Sequence, residues 1–327
     1  MSRTPHVPDV LTRARFLART AAARGLLTAN QLESRVWVRM LRGVYRHRDL
    51  MADDVVRAGA LRLVLSPGAV VAGRTAAWLL GAWRPLPGVP VPLEYARPLS
   101  AAGRGFSGTR YRRLALGPPV DDTGWGDITE VHSIPSTSPL RTCFDLMRER
   151  ALVEAVVVAD AFAWAGLLEL PWLDAYVCDH RGWPDVVVAR RAVELASHHA
   201  RSGGETRLRM VVVLGGLPEP LINVPVWAGS PSQLVGHPDV LVVHVPNIVG
   251  LEYDGAYHDD PGQHAADNKR ENSFTVMTGI PLLRYGAADV LRGRQQILHQ
   301  VTQLSGWPAP YELDDTDFRR PGAALRW

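Results

Sequence analysis

Apolar positions recur at helical or strand spacing along most of the chain, and changes of period divide it into regions. From Asp9 to Arg24, Leu11, Phe16, Ala18 and Ala22 form a rough apolar stripe. One helix is expected there, capped by Asp9 and ended by Gly25. Thr28 starts a short helix through Leu32. Val36–Leu41 alternates weakly, Arg42-Gly43 makes a turn, and Val44-Tyr45-Arg46 completes a small hairpin. Helix, short helix and basic hairpin predict a winged-helix module over residues 1–50, with Trp37 and Tyr45 as core.

Residues 51–200 read as a mostly helical middle region. Helices are expected at Asp53–Leu65, Arg74–Leu80, from Pro139 with Ser138 as cap, around 151–165 and around 184–200. Pro85, Pro87, Pro90, Pro92 and Pro98 predict an extended, strand-poor stretch. No side chains here have catalytic spacing. His198-His199 are neighbours and read as surface residues.

The third region, 201–310, begins at Gly203-Gly204. Glu205–Leu214 reads as a helix. Leu221–Val226, Val240–Val245 and Ile248–Tyr253 read as strands, Asp267–Met277 as a helix and Ile280–Tyr285 as a last strand. The expected order is αβββαβ, a small mixed sheet with covering helices. Residues 311–327 form a tail. The fold class is α/β in its last domain and α+β overall.

Length agrees with several domains: 327 residues exceed the roughly 250–300 at which single cores stop growing. With 46% hydrophobic and 21% charged residues, the chain is an ordinary globular one. No apolar run reaches the roughly 18 residues of a bilayer span, and the start has no secretory pattern. Cys143 and Cys178 have no metal-ligand spacing and read as thiols of a cytoplasmic protein. The net charge of +3 is uneven. Residues 1–48 hold ten arginines against Asp9 and Glu33, a local +8, which leaves −5 for the rest. A basic end suggests a polyanion partner, although Lys269 is the chain's sole lysine and this bias weakens arguments from arginine counts.

The chemistry concentrates in the third region. Side chains alternate faces along a strand, so Glu252 and Asp254 point the same way. Asp239 opens the preceding strand after Pro238. If the two strands pair through a loop at Pro246–Ile248, Asp239 reaches Glu252 and Asp254. Clustered carboxylates repel by roughly 4 kcal/mol per pair at about 4 Å, and a divalent cation removes that cost. Hard oxygen ligands select Mg²⁺ or Mn²⁺. His258, three residues after Gly255, lies close enough to handle a water proton.

An acid on an early helix, Pro-Asp opening a strand, Glu-x-Asp-Gly closing the next, a histidine and a charged helix together resemble the Vsr-like endonuclease-fold domains of the PD-(D/E)xK superfamily, common in actinobacteria. The resemblance covers Glu205 to Leu291. It implies that Glu205, Asp239 and Glu252 bind Mg²⁺, that Asp254 and His258 complete the catalytic set, and that Asp267 and Arg270 belong to the charged helix. The position two residues beyond Glu252, usually lysine, is Asp254 here, and Lys269 follows on the next helix. Asn223 stands where relatives often carry Gln. Thr28–Tyr45, with Arg42-Gly43-Val44-Tyr45, and the Thr137–Leu146 segment resemble AbiEi-type antitoxins. That resemblance implies a DNA-binding winged helix with Arg35, Arg39, Arg42, Arg46 and Arg48 near the wing. The expected activity is metal-dependent hydrolysis of DNA phosphodiesters. The alternative is an inactive, antitoxin-like or repressor-like DNA-binding protein. A toxin or defence-system protein is a further expected partner.

Overall fold

The structure, a computed structural model, describes residues 6–65, 67–84, 93–100, 109–255, 274–308 and 311–319. Expectations placed on Pro85, Pro87, Pro90, Pro92, His258, Asp267, Lys269 and Arg270 lie outside the described residues. The chain is mixed α+β and divides into two units, Met1–Leu146 and Met147–Trp327. The division falls inside the 51–200 stretch.

In the first unit the expected helix over 9–24 is replaced. A 3-10 turn at Asp9–Leu11 is followed by β1 (Phe16–Leu17), and only Ala18–Ala23 (α1) is helical. The reason is tertiary. Phe16 packs edge-on to Trp37 at 5.3 Å and stacks on Tyr45 at 6.3 Å, so its backbone pairs with β3 (Val44–His47) instead of continuing a helix. Thr28 caps α2 (Ala29–Leu32) in a capping box with Gln31. β2 (Trp37–Leu41) and β3 form the expected hairpin, and Gly43 turns at a φ of +80°. The sheet order is β1-β3-β2.

Asp53 accepts the Val56 amide at 2.7 Å and starts α3 (Asp54–Arg62). β4 (Val70–Val71), α4 (Gly73–Leu80), β5 (Leu93–Pro98), β6 (Thr109–Leu114), β7 (Ile128–Val131), β8 (Ile134–Thr137) and α5 (Pro139–Arg148) follow. The stretch read as mostly helical therefore contains a five-stranded sheet, ordered β6-β5-β4-β8-β7. Its outer strand β6 reads Thr-Arg-Tyr-Arg-Arg-Leu and is largely exposed. Six parallel pairs with β5, not its own pattern, hold it extended. The hairpin residues Leu41 and Val44 share one buried cluster with Ala58, Leu61, Val71 and Tyr95. Arg141, on α5, is fully buried and bonds Asp127, Asp145 and the Ala115 carbonyl.

The second unit is built on α6 (Leu152–Trp164), apolar nearly all round and buried accordingly. α7 (Leu170–Asp179), which the sequence reading missed, and α8 (Val186–Leu195) follow it. α9 (Gly203–Leu214) leads into β9 (Leu221–Ile222). The expected strand 221–226 stops there because Asn223 turns at a φ of +53°. A separate hairpin of β10 (Val226–Ala228) and β11 (Gln233–Gly236) is inserted next. β12 (Val240–His244) and β13 (Asn247–Asp254) are antiparallel and joined through Val245-Pro246, a tighter turn than the expected Pro246–Ile248. Residues 274–278 are helical (α10). β14 (Leu282–Gly286) then pairs parallel to β13, giving the order β14-β13-β12-β9. The expected αβββαβ order is present with one extra hairpin. α11 (Ala287–Arg292), α12 (Arg294–Ser305) and α13 (Asp315–Phe318) close the unit, and Tyr285 on β14 donates its hydroxyl to Gln300 on α12 at 2.9 Å. No described helix is long and apolar enough to cross a membrane.

Candidate functional site

Four strands deliver four polar side chains to one row. Asn223 follows β9 by one residue, and its amide donates to the Asp239 carbonyl at 3.2 Å. Asp239 precedes β12, whose Val240 pairs with Leu251. One further step of that register sets Asp239 opposite Glu252, and Asp239 Oδ2 accepts the Tyr253 amide at 2.8 Å. Glu252 pairs in register with Arg284 on β14. Its Oε2 accepts from Arg284 Nε at 3.0 Å and Nη2 at 2.9 Å. The row thus reads Asn223, Asp239, Glu252, Arg284.

Glu205 joins this row from the first turn of α9. Ser202 Oγ accepts the Glu205 amide at 3.2 Å and fixes the helix start. The Glu205 carboxylate is 7% exposed, and its Oε2 accepts both Asn223 Nδ2 and the Arg201 amide at 2.8 Å. The close approach of α9 to β13 depends on Gly204, where a Cβ would stand 2.1 Å from the Tyr253 ring. Asp254 sits at the exposed end of β13, across from Gly286.

Burial pushes the Asp239 carboxyl up to about 6, and the neighbouring Glu205 and Glu252 charges push the same way. The Tyr253 amide and Arg201 oppose them without prevailing. Asp239 therefore feels both other acids of the expected trio. Yet among the described residues no group of three or more His, Cys, Asp or Glu is placed to hold a metal ion. Glu205 is turned to Asn223 and the Arg201 amide, and Glu252 is clasped by Arg284. Asp239 Oδ1 and Glu252 Oε1 accept no hydrogen bond from the described residues. Two opposed carboxylates suit Mg²⁺, which keeps most of its waters and takes one or two protein carboxylates beside phosphate oxygens. A cavity of about 330 Å³ opens beside Glu252 and Arg284, walled by Leu234, His237, Phe274 and Leu282.

Sequence reasoning gave Arg284 and Arg201 no role. A charged residue inside an otherwise apolar strand, Leu282-Leu283-Arg284-Tyr285, was the available signal for Arg284. The Arg201 position became legible only through its contacts.

Of the hairpin arginines, Arg35, Arg39, Arg42 and Arg48 are exposed. Arg46 is half-buried. Its Nη1 donates to the carbonyls of His47, Arg48 and Leu50, at 3.0, 2.9 and 2.5 Å, and so holds the turn after β3.

No family model and no curated protein matches the chain. Among solved structures it is similar to the RV2827C protein from Mycobacterium tuberculosis, at 13% identity over 55% of this chain and 72% of that chain, with a TM-score of 0.36. A likeness that distant carries no argument.

Proposed function

We propose that the chain is a DNA-acting phosphodiesterase, with its hydrolytic centre in the second unit and DNA contacts on the exposed arginines of the β2–β3 hairpin. The observation that carries this reading is the polar row Asn223–Asp239–Glu252–Arg284 with Glu205 bonded to its first member. Asp239 and Glu252 would hold a Mg²⁺ or Mn²⁺ ion. Such an ion supplies Lewis acidity toward a phosphate oxygen. Glu205 acts through Asn223 and fixes the strand end from which Asp239 projects. Arg284 keeps a cation beside the row, where charge gathers on a phosphoryl group under attack. Asp254 at the strand end and His258 are the groups assigned to the proton of the attacking water. The Vsr-like resemblance agrees with this use of Asp239 and Glu252, and a cytoplasmic location accords with DNA as substrate.

Supercoiled plasmid incubated with the protein should be nicked in Mg²⁺ or Mn²⁺ and untouched in EDTA. Asp239→Asn and Glu252→Gln should each lower the rate by at least roughly a hundredfold. Wild type as inert as Asp239→Asn across duplex, single-stranded and RNA substrates would sink the hydrolytic reading.

A second reading has its own observation. Glu252 is closed against Arg284, as in a site that has ceased to bind metal. The chain is then a repressor-like or antitoxin-like DNA-binding protein. It would bind DNA equally in Mg²⁺ and EDTA and cleave none.

A further inference from the structure

The loop 196–202 between α8 and α9 is pinned at several points. The Ser197 amide donates to buried Asp160 at 2.7 Å, and the His199 amide to Ser197 Oγ at 3.3 Å. The His199 carbonyl accepts Asn223 Nδ2 at 3.0 Å, so the residue that holds Glu205 also holds this loop. The Arg201 amide is bonded to Glu205 Oε2. A segment tied this way to the Asn223–Glu205 end of the row has little freedom to drift from it.

What the loop presents outward is cationic and aromatic. Arg201 is exposed and its guanidinium lies 5.7 Å from the ring centre of Trp164, the last residue of α6. Trp164 is itself 51% exposed, too much for a core role. Cation–π contact holds an arginine in place without consuming its hydrogen-bond donors. His198 and His199, both exposed, lie with ring centres 3.9 Å apart and planes tilted by 44°, and add ring N–H donors. Arg201 also acts on Asp239 through its charge, which places it within electrostatic reach of the row.

We propose that Arg201, pre-positioned by Trp164, binds a phosphate of the nucleic-acid strand next to the one lying over the acidic row. The inference rests on the phosphodiesterase reading for its substrate class. It adds the direction in which the strand leaves the site, across the 196–202 loop. Arg201 is the phosphate contact and Trp164 a positioning residue. The logic is that of a nucleic-acid groove: a fixed cation tracks the backbone and an aromatic face lies beside it.

The test is fluorescence anisotropy of the full-length protein with short labelled single strands and duplexes, in EDTA, over a range of NaCl. Removing one phosphate contact should reduce the slope of log affinity against log salt by about 0.7 for a single strand or about 0.9 for a duplex. Arg201→Gln should show that loss with several-fold weaker binding. Arg201→Lys should restore the slope but not the full affinity. Trp164→Leu should weaken binding at unchanged slope, because the charge remains. Melting curves that match wild type verify the fold of each variant. Unchanged slope and affinity in Arg201→Gln would overturn the proposal, and so would an Arg201→Lys variant with the slope of Arg201→Gln. Because no metal is present, failure here differs from failure of hydrolysis. A protein that binds through Arg201 and cleaves nothing retains this contact and loses the enzymatic reading. A protein that cleaves with no regard for Arg201 does the reverse.

Discussion

Asp239 carries a conflict between stability and chemistry. Its carboxyl is raised to about 6 by burial and by Glu205 and Glu252, so at neutral pH it is an anion in a place that disfavours anions. Asp239→Asn removes the charge and keeps the acceptor for the Tyr253 amide. The variant should be more stable than wild type at pH 7.5–8 in EDTA, by an unfolding free energy on the order of 1–3 kcal/mol, and melt at a higher temperature. Added Mg²⁺ should raise the wild-type midpoint and leave the variant's unchanged. A lower midpoint for Asp239→Asn would mean that the carboxylate is already compensated.

Asp160 gives a separate pH dependence. It is buried in α6, and burial lifts it from 3.8 to about 7, against the opposing influence of the Ser197 amide, Arg209 and Thr206. A folded value above the unfolded one means that the native state binds the proton more tightly. This group's contribution to stability is therefore full below the ordinary carboxylate value, falls as pH rises from about 4 to about 7, and is flat above that. Asp160→Asn should remove that part of the pH profile of melting. A profile identical in wild type and variant would contradict the assignment.

At the scale of elements, the approach of α9 to β13 is set by one missing methyl group. Gly204→Ala improves helix propensity by about 1 kcal/mol, but its Cβ meets the Tyr253 ring at 2.1 Å. Overpacking costs about 1–3 kcal/mol, so the variant should be destabilised on balance. Since the Tyr253 amide holds Asp239, any nicking activity should fall with it. A stabilised Gly204→Ala would show that the ring moves away freely. In the first unit, Arg141 ties α5 to Asp127 ahead of β7 and to Asp145 on α5 itself. Arg141→Met deprives two buried acids of this cation and should cost about 3–5 kcal/mol in chemical denaturation.

At the scale of the whole molecule, the proposed DNA contacts of the hairpin and the proposed phosphodiester chemistry lie in different units, so those two should separate under mutation. Arg42→Glu, on the exposed hairpin turn, should weaken duplex binding and flatten its salt dependence, while nicking at saturating DNA persists. Arg46→Met should instead lower stability, because the guanidinium holds three carbonyls of its own loop. Equal effects of the two substitutions on salt dependence would show that both reach phosphate.

Local chemistry alone determined the Thr28 and Ser138 caps, the Arg42-Gly43 hairpin, the αβββαβ order and the pairing of Asp239 with Glu252. Each follows from backbone hydrogen bonding or strand periodicity over a few residues, which any reader of the chain can apply. Only the tertiary structure decided that Phe16 leaves its helix for an aromatic cluster and that an arginine-rich segment becomes the outer strand of a sheet. The structure also decided that Arg284 clasps Glu252 and that Asn223 joins Glu205 to the loop bearing Arg201. The Asn223–Glu205 and Arg284–Glu252 contacts join partners 18 and 32 residues apart in sequence, whose attraction exists only once the strands have paired.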